Sequence, residues 1–483
     1  MADTHPRYEA VVGLEVHVQL NTASKLFSRD STAFGAEPNS QAGTVTLAHP
    51  GTLPHLNMSA VEKAVRLGLA LECEIAPYSV FARKNYFYPD LPKGYQISQH
   101  EHPICLGGRV KISTEAGQRE IRLHHIHLEE DAGKSLHDLE PDATCLDFNR
   151  AGTPLLEIVT EPDLRSAEEA SAFLAEVRRI VRWIGVCDGN MEEGSLRCDA
   201  NVSIRPHGES RLGTRVEVKN LNSIRHLRLA VEGEVARLAS ILDAGGRVLQ
   251  ETRGFDSHRE STFSIRVKEN ADDYRYFPEP DLPPVQIGPA FVEKVRSSMP
   301  ALPEELFTRF VDDYRLPEYD ARQLCEEKEL CDLFLGGMKE PGMAKPLANW
   351  LLGPVRSHLN EKGLEWSSLM VSADSWAGLI GLVESGSVSF SAASHRILPL
   401  LLQGDARPPD VIARELDLLQ DAGQGEIESW VDEVMAAMTD KVAEYRKGKK
   451  GLIGLFTGEV RKRSRGKADP VKTQQILMKK LNA

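Results

Sequence analysis

Residues 127-HLEEDAGKSLH-137 place Glu129, Glu130, Asp131 and Lys134 between two histidines, His127 and His137. Two chemistries use such a set. Carboxylate oxygens hold hard divalent cations, and a Gly-Lys-Ser ending resembles a phosphate-wrapping loop. The second reading fails by counting. That loop needs a glycine five places before its Gly-Lys pair, so that backbone N–H groups close around the phosphates, and the place is taken by Leu128. The acids remain as the chemical content, with Lys134 as a cation beside them.

Other polar side chains recur at a spacing of two, which sets them on one face of a strand. In 11-VVGLEVHVQL-20, Glu15, His17 and Gln19 alternate with Leu14, Val16, Val18 and Leu20. In 196-LRCDANVSIR-205, Arg197, Asp199, Asn201, Ser203 and Arg205 lie opposite Leu196, Cys198, Ala200, Val202 and Ile204. The stretch 215-RVEVK-219 groups Arg215, Glu217 and Lys219, and 151-AGTPLLEIVTEPD-163 adds Glu157 and Glu161. One such strand is ordinarily half buried with a solvated outer face. Several in one region exceed what a solvated edge needs. Interleaved acids, amides and cations suit a floor that binds Mg²⁺ and phosphate, although the pattern names no reaction. In 83-RKNYFYPDLPKGYQISQ-99, Lys84, Asn85, Lys93 and Gln96 stand among Tyr86, Tyr88 and Tyr95. That run suits a core strand ending in a turn as well as a nucleotide or RNA surface. His49, His55 and His258 read as structural histidines. No GxSxG, HExxH, EF-hand or dinucleotide-binding signature is present.

The elements that must position these groups are mostly strands from residue 8 to about 290, broken by Gly, Pro and Asn turns. Helical periodicity interrupts them at 59-SAVEKAVRLGLAL-71, at 166-SAEEASAFLAEVRRIVRWI-184 with Ser166 as N-cap, and at 224-IRHLRLAVEGEVARLASILDAG-245. Proline-dense 278-PEPDLPP-284 reads as the exit from this region. Helical patterns then run to a break at 404-GDARPPD-410, and a third, helical region follows. At 483 residues the chain exceeds one ordinary core. The expected division is therefore 1–290, 291–405 and 406–483.

Composition narrows the class. With 41% hydrophobic and 27% charged residues, and no apolar run of membrane-spanning length, the chain reads as soluble, with no membrane partner. MADTHPRYEA has neither signal nor transit character. Seven scattered cysteines without a CxxC pair point to a reducing, cytoplasmic setting. The net charge of −13 is uneven: residues 441–483 hold thirteen Lys/Arg against three Asp/Glu, a net +10, leaving −23 on the remainder. The cations form two blocks, 446-RKGKK-450 and 461-RKRSRGK-467, around apolar 451-GLIGLFTGEV-460. A basic, folded end on an acidic body favours nucleic-acid contact over a merely solvated face.

The ordered segments resemble one family, the B subunits of the aspartyl/glutamyl-tRNA amidotransferases (the GatB/GatE family). The resemblance rests on 13-GLEVHVQL-20, 34-FGAEPNS-40, 83-RKNYFYPDLPKGYQISQ-99, 128-LEEDAGKSLH-137 and 147-DFNRAGTPLLEIVTEPD-163. It continues through 190-NMEEGSLRCDANVSIRP-206, 216-VEVKNLNS-223, 272-DDYRYFPEPDLPP-284, 447-KGKKGLIGLFTGEV-460 and 465-RGKADP-470. It implies an α+β protein: a glutamine-synthetase-like, β-rich cradle followed by two helical domains, the last a small YqeY-like tail that contacts tRNA. The implied reaction is ATP-dependent conversion of mischarged Asp-tRNA(Asn) or Glu-tRNA(Gln) to the amide through an acyl phosphate. Ammonia would come from glutamine on a separate amidase (glutaminase), the A subunit, clamped by the small C subunit. The chain would then be part of a carbon–nitrogen ligase.

The resemblance places metal ligands, expected to be catalytic, at Glu15, His17, Glu130, Glu157 and Asp199, with Mg²⁺ as the ion. Lys134, Arg197, Asn201 and Lys84 are the expected contacts for ATP. Some members carry a zinc site whose cysteine positions correspond here to Ser28, Asp30, Gly43 and Thr46, so zinc is not expected. Two other readings compete: a tRNA-binding scaffold without chemistry, and a free-standing ammonia ligase. The first has no use for four such acids and a histidine in register, and the second leaves the basic tail without a purpose.

Overall fold

The computed structural model describes residues 6–267, 274–419, 424–464 and 466–482, in two compact units, Met1–Leu302 and Pro303–Ala483. The first is built on a ten-stranded sheet. From one edge its order is Ser261–Val267, Glu251–Asp256, Val216–Leu221, Leu196–Pro206, Tyr8–Gln19, Pro154–Thr160, Gly117–Glu130, Cys105–Leu106 and Glu74–Ile75. Arg109–Thr114 forms a hairpin with the outer half of Gly117–Glu130. Every pairing is antiparallel except that of Val216–Leu221 with Glu251–Asp256.

Alternation gives this sheet two unlike faces. Leu14, Val16, Val18, Ile126, Leu128, Leu156, Ile158, Cys198, Ala200 and Val202 are all buried on one of them. Burying each larger side chain of this kind contributes roughly 1.5–3 kcal/mol. Helices Met58–Ala70, Ala167–Trp183 and Ile224–Asp243 pack against the sheet. Each helix starts where the sequence supplies an oxygen for an orphan N–H: Asn57 accepts from Ser59 N, Ser166 from Glu169 N and Ser223 from His226 N.

Register decides what the opposite face displays. His17 is paired with Glu157 on one side and Arg197 on the other, and Glu15 with Val159 and Asp199. Glu157 faces His127, and Asn201 faces Glu217. Directly opposed residues share a face, so a slip of one residue would turn all of these groups toward the helices. The small sheet of Phe81–Asn85, Tyr95–Gln99 and Phe277–Pro278 walls this face at the Gly117–Glu130 strand, with Ser98 Oγ bonded to Glu129 Oε2 at 3.1 Å.

The expected exit near residue 284 lies inside the first unit, which continues to Leu302. Helix Pro289–Ser297 packs on Met58–Ala70. Arg66 donates to Ser298 Oγ, and Trp183 Nε1 to the Ala301 carbonyl, which ties this segment down. The second unit is helical throughout its described elements. Phe310, Phe334, Leu347, Leu351, Trp376 and Ile397 are fully buried in its earlier part. Helices Gln424–Ala437, Thr439–Arg446, Ile453–Arg463 and Pro470–Asn482 close around a separate core of Ile427, Val431, Val434, Tyr445, Phe456, Val460, Leu477 and Leu481. The protein is thus α+β, and among the described residues no helix is long and apolar enough to cross a membrane.

Candidate active site

Two groups of potential metal ligands stand side by side on the helix-free face. In the first, His17, Glu129 and Glu157 come from three neighbouring strands, with ligand atoms within 4.8 Å of one another. His17 Nε2 lies 3.3 Å from Glu157 Oε2 and 3.9 Å from Glu129 Oε1. Buried His127 stands behind them, its Nε2 3.4 Å from Glu129 Oε2 and 3.6 Å from Glu157 Oε2. Burial alone would discharge the His17 imidazole, but the Glu157 carboxylate, with Asp199 and Glu129 beyond it, raises it to about 9. Burial likewise opposes the charge on Glu157, yet His127, His17 and Lys84 hold its carboxyl well below the usual range. Lys84 is kept charged against burial by Glu129 and Glu157.

The second group is all oxygen. Glu15, Asp199 and Glu217 bring one carboxylate oxygen each within the same 4.8 Å. Lys219 Nζ bridges two of them, 2.9 Å from Glu217 Oε1 and 3.2 Å from Asp199 Oδ2. Asn201 Nδ2 donates to Glu15 Oε1 at 2.9 Å, and Asn220 N to Asp199 Oδ1 at 2.9 Å. Burial raises the Glu15 carboxyl, and Glu157, Asp199 and Glu217 raise it further against the Asn201 bond. Three carboxylates crowded together, with Glu15 resisting the loss of its proton, are a site where a divalent cation relieves repulsion. Three oxygens suit Mg²⁺, and the imidazole-bearing group suits the same class of ion less exclusively.

Glu130 departs from the expectation. It follows Glu129 on the strand and so points to the other side. Its buried carboxylate is taken up instead by Lys93 Nζ at 2.6 Å and Ile97 N at 3.0 Å, from both of which it accepts. The structure therefore brings Glu15, His17, Glu157 and Asp199 together but not Glu130. Glu129 occupies the place expected of it, and Glu217 joins the set. Asp131, on the same side as Glu129, accepts from Gln19 Nε2 and from an Arg197 terminal nitrogen, both at 2.9 Å. Arg197 Nε is buried and has no protein partner among the described residues, so one directed donor is left over at the site. Lys134 lies off both groups, its Nζ 5.7 Å from the centre of the Phe34 ring. Gly133 is required by packing: a Cβ there would come within 2.9 Å of the Asp147 carbonyl and 3.0 Å of the Asp90 carbonyl.

The positions compared with zinc cysteines do meet, around a carboxylate. Asp30 Oδ2 accepts from Ser28 Oγ at 3.0 Å, from Gly43 N at 2.9 Å and from Thr46 Oγ1. Far along the chain, Lys447, Arg461, Lys462, Lys472 and Lys479 are exposed on the last helices. Arg461, Lys462 and Lys467 also border a groove of about 530 Å³ with His395 and Arg396.

Comparison with known sequences gives the family. Residues 10–293 match the family description "GatB/GatE catalytic domain", and residues 332–481 match "GatB domain". A protein of Pelodictyon phaeoclathratiforme is 50% identical over 475 residues, covering 98% of this chain and 99% of that relative. One of Geotalea uraniireducens is 50% identical over 479 residues, covering 99% and 100%. One of Alkalilimnicola ehrlichii is 49% identical over 478 residues, covering 99% and 100%. All three are named as the B subunit of aspartyl/glutamyl-tRNA(Asn/Gln) amidotransferase. The two matched regions fall on the sheet-based and helical units respectively, and the chain belongs to the GatB/GatE family.

Proposed function

We propose that the helix-free face is where the side-chain carboxylate of Asp or Glu mischarged on tRNA(Asn) or tRNA(Gln) is phosphorylated by ATP and then amidated by ammonia. The observation that carries this reading is the pair of adjacent ligand groups, His17/Glu129/Glu157 and Glu15/Asp199/Glu217. When bound, ATP supplies the phosphoryl group and Mg²⁺ neutralises its β- and γ-oxygens. The chain's own cations do the rest. Lys84, Lys219 and Arg197 hold two anions, the acceptor carboxylate and the donor phosphates, close enough to react. Arg197 is fixed by Asp131 and keeps its Nε free to orient an oxygen. The activated carboxyl is open to hydrolysis, so the walls raised by Phe81–Asn85 and Tyr95–Gln99 serve to keep water from it.

Ammonia is assigned to a partner amidase that cleaves glutamine, with a small third polypeptide completing the complex and the basic last helices holding the tRNA body. On this reading the sheet domain is a glutamine-synthetase-like cradle and the tail is YqeY-like. The test uses the reconstituted complex with the nucleophile of the amidase removed. It should form amide from ammonium chloride, ATP, Mg²⁺ and mischarged tRNA, and none from glutamine. Amide formation from ammonium without ATP would contradict the proposal.

A further inference from the structure

The group of Glu15, Asp199 and Glu217 carries a cation of the chain's own. Lys219 Nζ lies 2.9 Å from Glu217 Oε1 and 3.2 Å from Asp199 Oδ2. Each acid is also held from another direction. Asn201 Nδ2 donates to Glu15 Oε1 at 2.9 Å, Asn220 N to Asp199 Oδ1 at 2.9 Å, and buried Thr252 Oγ1 to Glu217 Oε2 at 3.0 Å. Lys219 is set apart by exposure: its side chain is 37% exposed, against 9% for Asp199 and 11% for Glu217. A long, flexible stem thus reaches from the solvent side into a ring of anchored acids, and it is the member of the group that can move.

The backbone is bent to bring it there. Cys198 pairs with Leu221 and Ala200 with Val218, so Asp199 stands opposite two residues, Lys219 and Asn220. This is a β-bulge, and Asn220 takes it up with a left-handed φ of 59°. The bulge aims the Asn220 N–H at one oxygen of Asp199 and the Lys219 ammonium at the other. A divalent cation needs oxygens of these same carboxylates, and like charges a few ångströms apart in a half-buried site repel strongly. The ion and the ammonium therefore compete.

We propose that Lys219 is an exchangeable counter-ion, which neutralises the acids until a divalent cation takes their oxygens and then swings to the phosphate of the substrate. The inference rests on the reading above that this group holds such an ion and that the face binds phosphate. Ion and anion are thereby coupled, each favouring the other by freeing or occupying one ammonium. A purely structural ion pair would keep Lys219 on the acids throughout.

The test titrates Mn²⁺ into the reconstituted complex without nucleotide, reading free Mn²⁺ by electron paramagnetic resonance. The wild type should bind two ions, and the ion lost in Glu217→Gln is the one at this group. In Lys219→Met that ion should bind about tenfold more tightly or better, because no charged hydrogen bonds have to be broken first. Lys219→Gln should repeat this result, and Lys219→Arg, which keeps the charge, should stay near the wild type. Inorganic phosphate should tighten the ion in the wild type, by giving the displaced ammonium a partner, and have no such effect in K219M. Amidation by K219M should fall despite its tighter ion. An ion bound by both K219M and K219Q no more tightly than by the wild type overturns the inference. Phosphate acting equally on the wild type and K219M, or unimpaired amidation by K219M, also overturns it. A wild type that binds no ion at this group would instead sink the reading on which it rests.

Discussion

Glu129→Gln and Glu217→Gln should each lower ATP-dependent amidation by the reconstituted complex by about 10²-fold or more, while Glu130→Gln retains far more activity. Removing one group that stabilises developing charge in a water-poor site typically costs roughly 10²–10³ in rate. Glu129 and Glu217 belong to the two ligand groups, whereas the Glu130 carboxylate is engaged with Lys93 and Ile97 on the other side of its strand. Glu130→Gln should therefore act mainly on stability, by roughly 1–3 kcal/mol, because it leaves a half-buried lysine without its counter-charge. Glutamine hydrolysis by the partner, measured separately, should persist in all three variants. An active Glu129→Gln beside an inactive Glu130→Gln would return the ligand role to Glu130.

Removing the last helices should weaken tRNA capture without dismantling the sheet domain. The sequence suggests a cut near Pro408, but helix Pro409–Glu415 packs on Ala373–Glu384, and Pro409 lies against Gly378. A cut after Leu419 spares that packing and removes Gln424–Asn482, whose core is its own. KM for mischarged tRNA should rise by about 10²-fold, and the logarithmic salt slope of binding should fall by roughly one for each phosphate no longer neutralised. Such cations contribute affinity and orientation more than sequence readout. Unchanged affinity with an unchanged salt slope would reduce the basic tail to a solvated surface.

Much of the sheet was legible because its alternation is clean. The polar face of 196-LRCDANVSIR-205 and that of 11-VVGLEVHVQL-20 are the faces the structure displays, and Ser166 caps the helix it was expected to cap. The choice between Glu129 and Glu130 was less visible, since both neighbours are acids and only the pairing of Glu157 with His127 fixes which one turns inward. Spacing did hold a signal: His127, Glu129 and Asp131 share a period of two, and all three meet the site. Glu217 stood on a recognised polar face, but its place beside Glu15 depends on pairing with Asn201 across the sheet. Phe34 and Lys134, a hundred residues apart, become neighbours only because Asn149 and Asp147 pin the intervening loop.

On the proposed reading, the helix-free face holds divalent cations in two adjacent groups. Anomalous diffraction from crystals equilibrated with Mn²⁺ would locate them. The soak belongs near the upper end of the His17 titration, because the ion must displace a proton that this imidazole otherwise keeps to about 9, so affinity should rise with pH up to that value. Two peaks are expected, one among His17, Glu129 and Glu157 and the other among Glu15, Asp199 and Glu217. A peak on the opposite side of the strand, beside Glu130 and Lys93, or no peak at either group, would contradict that reading.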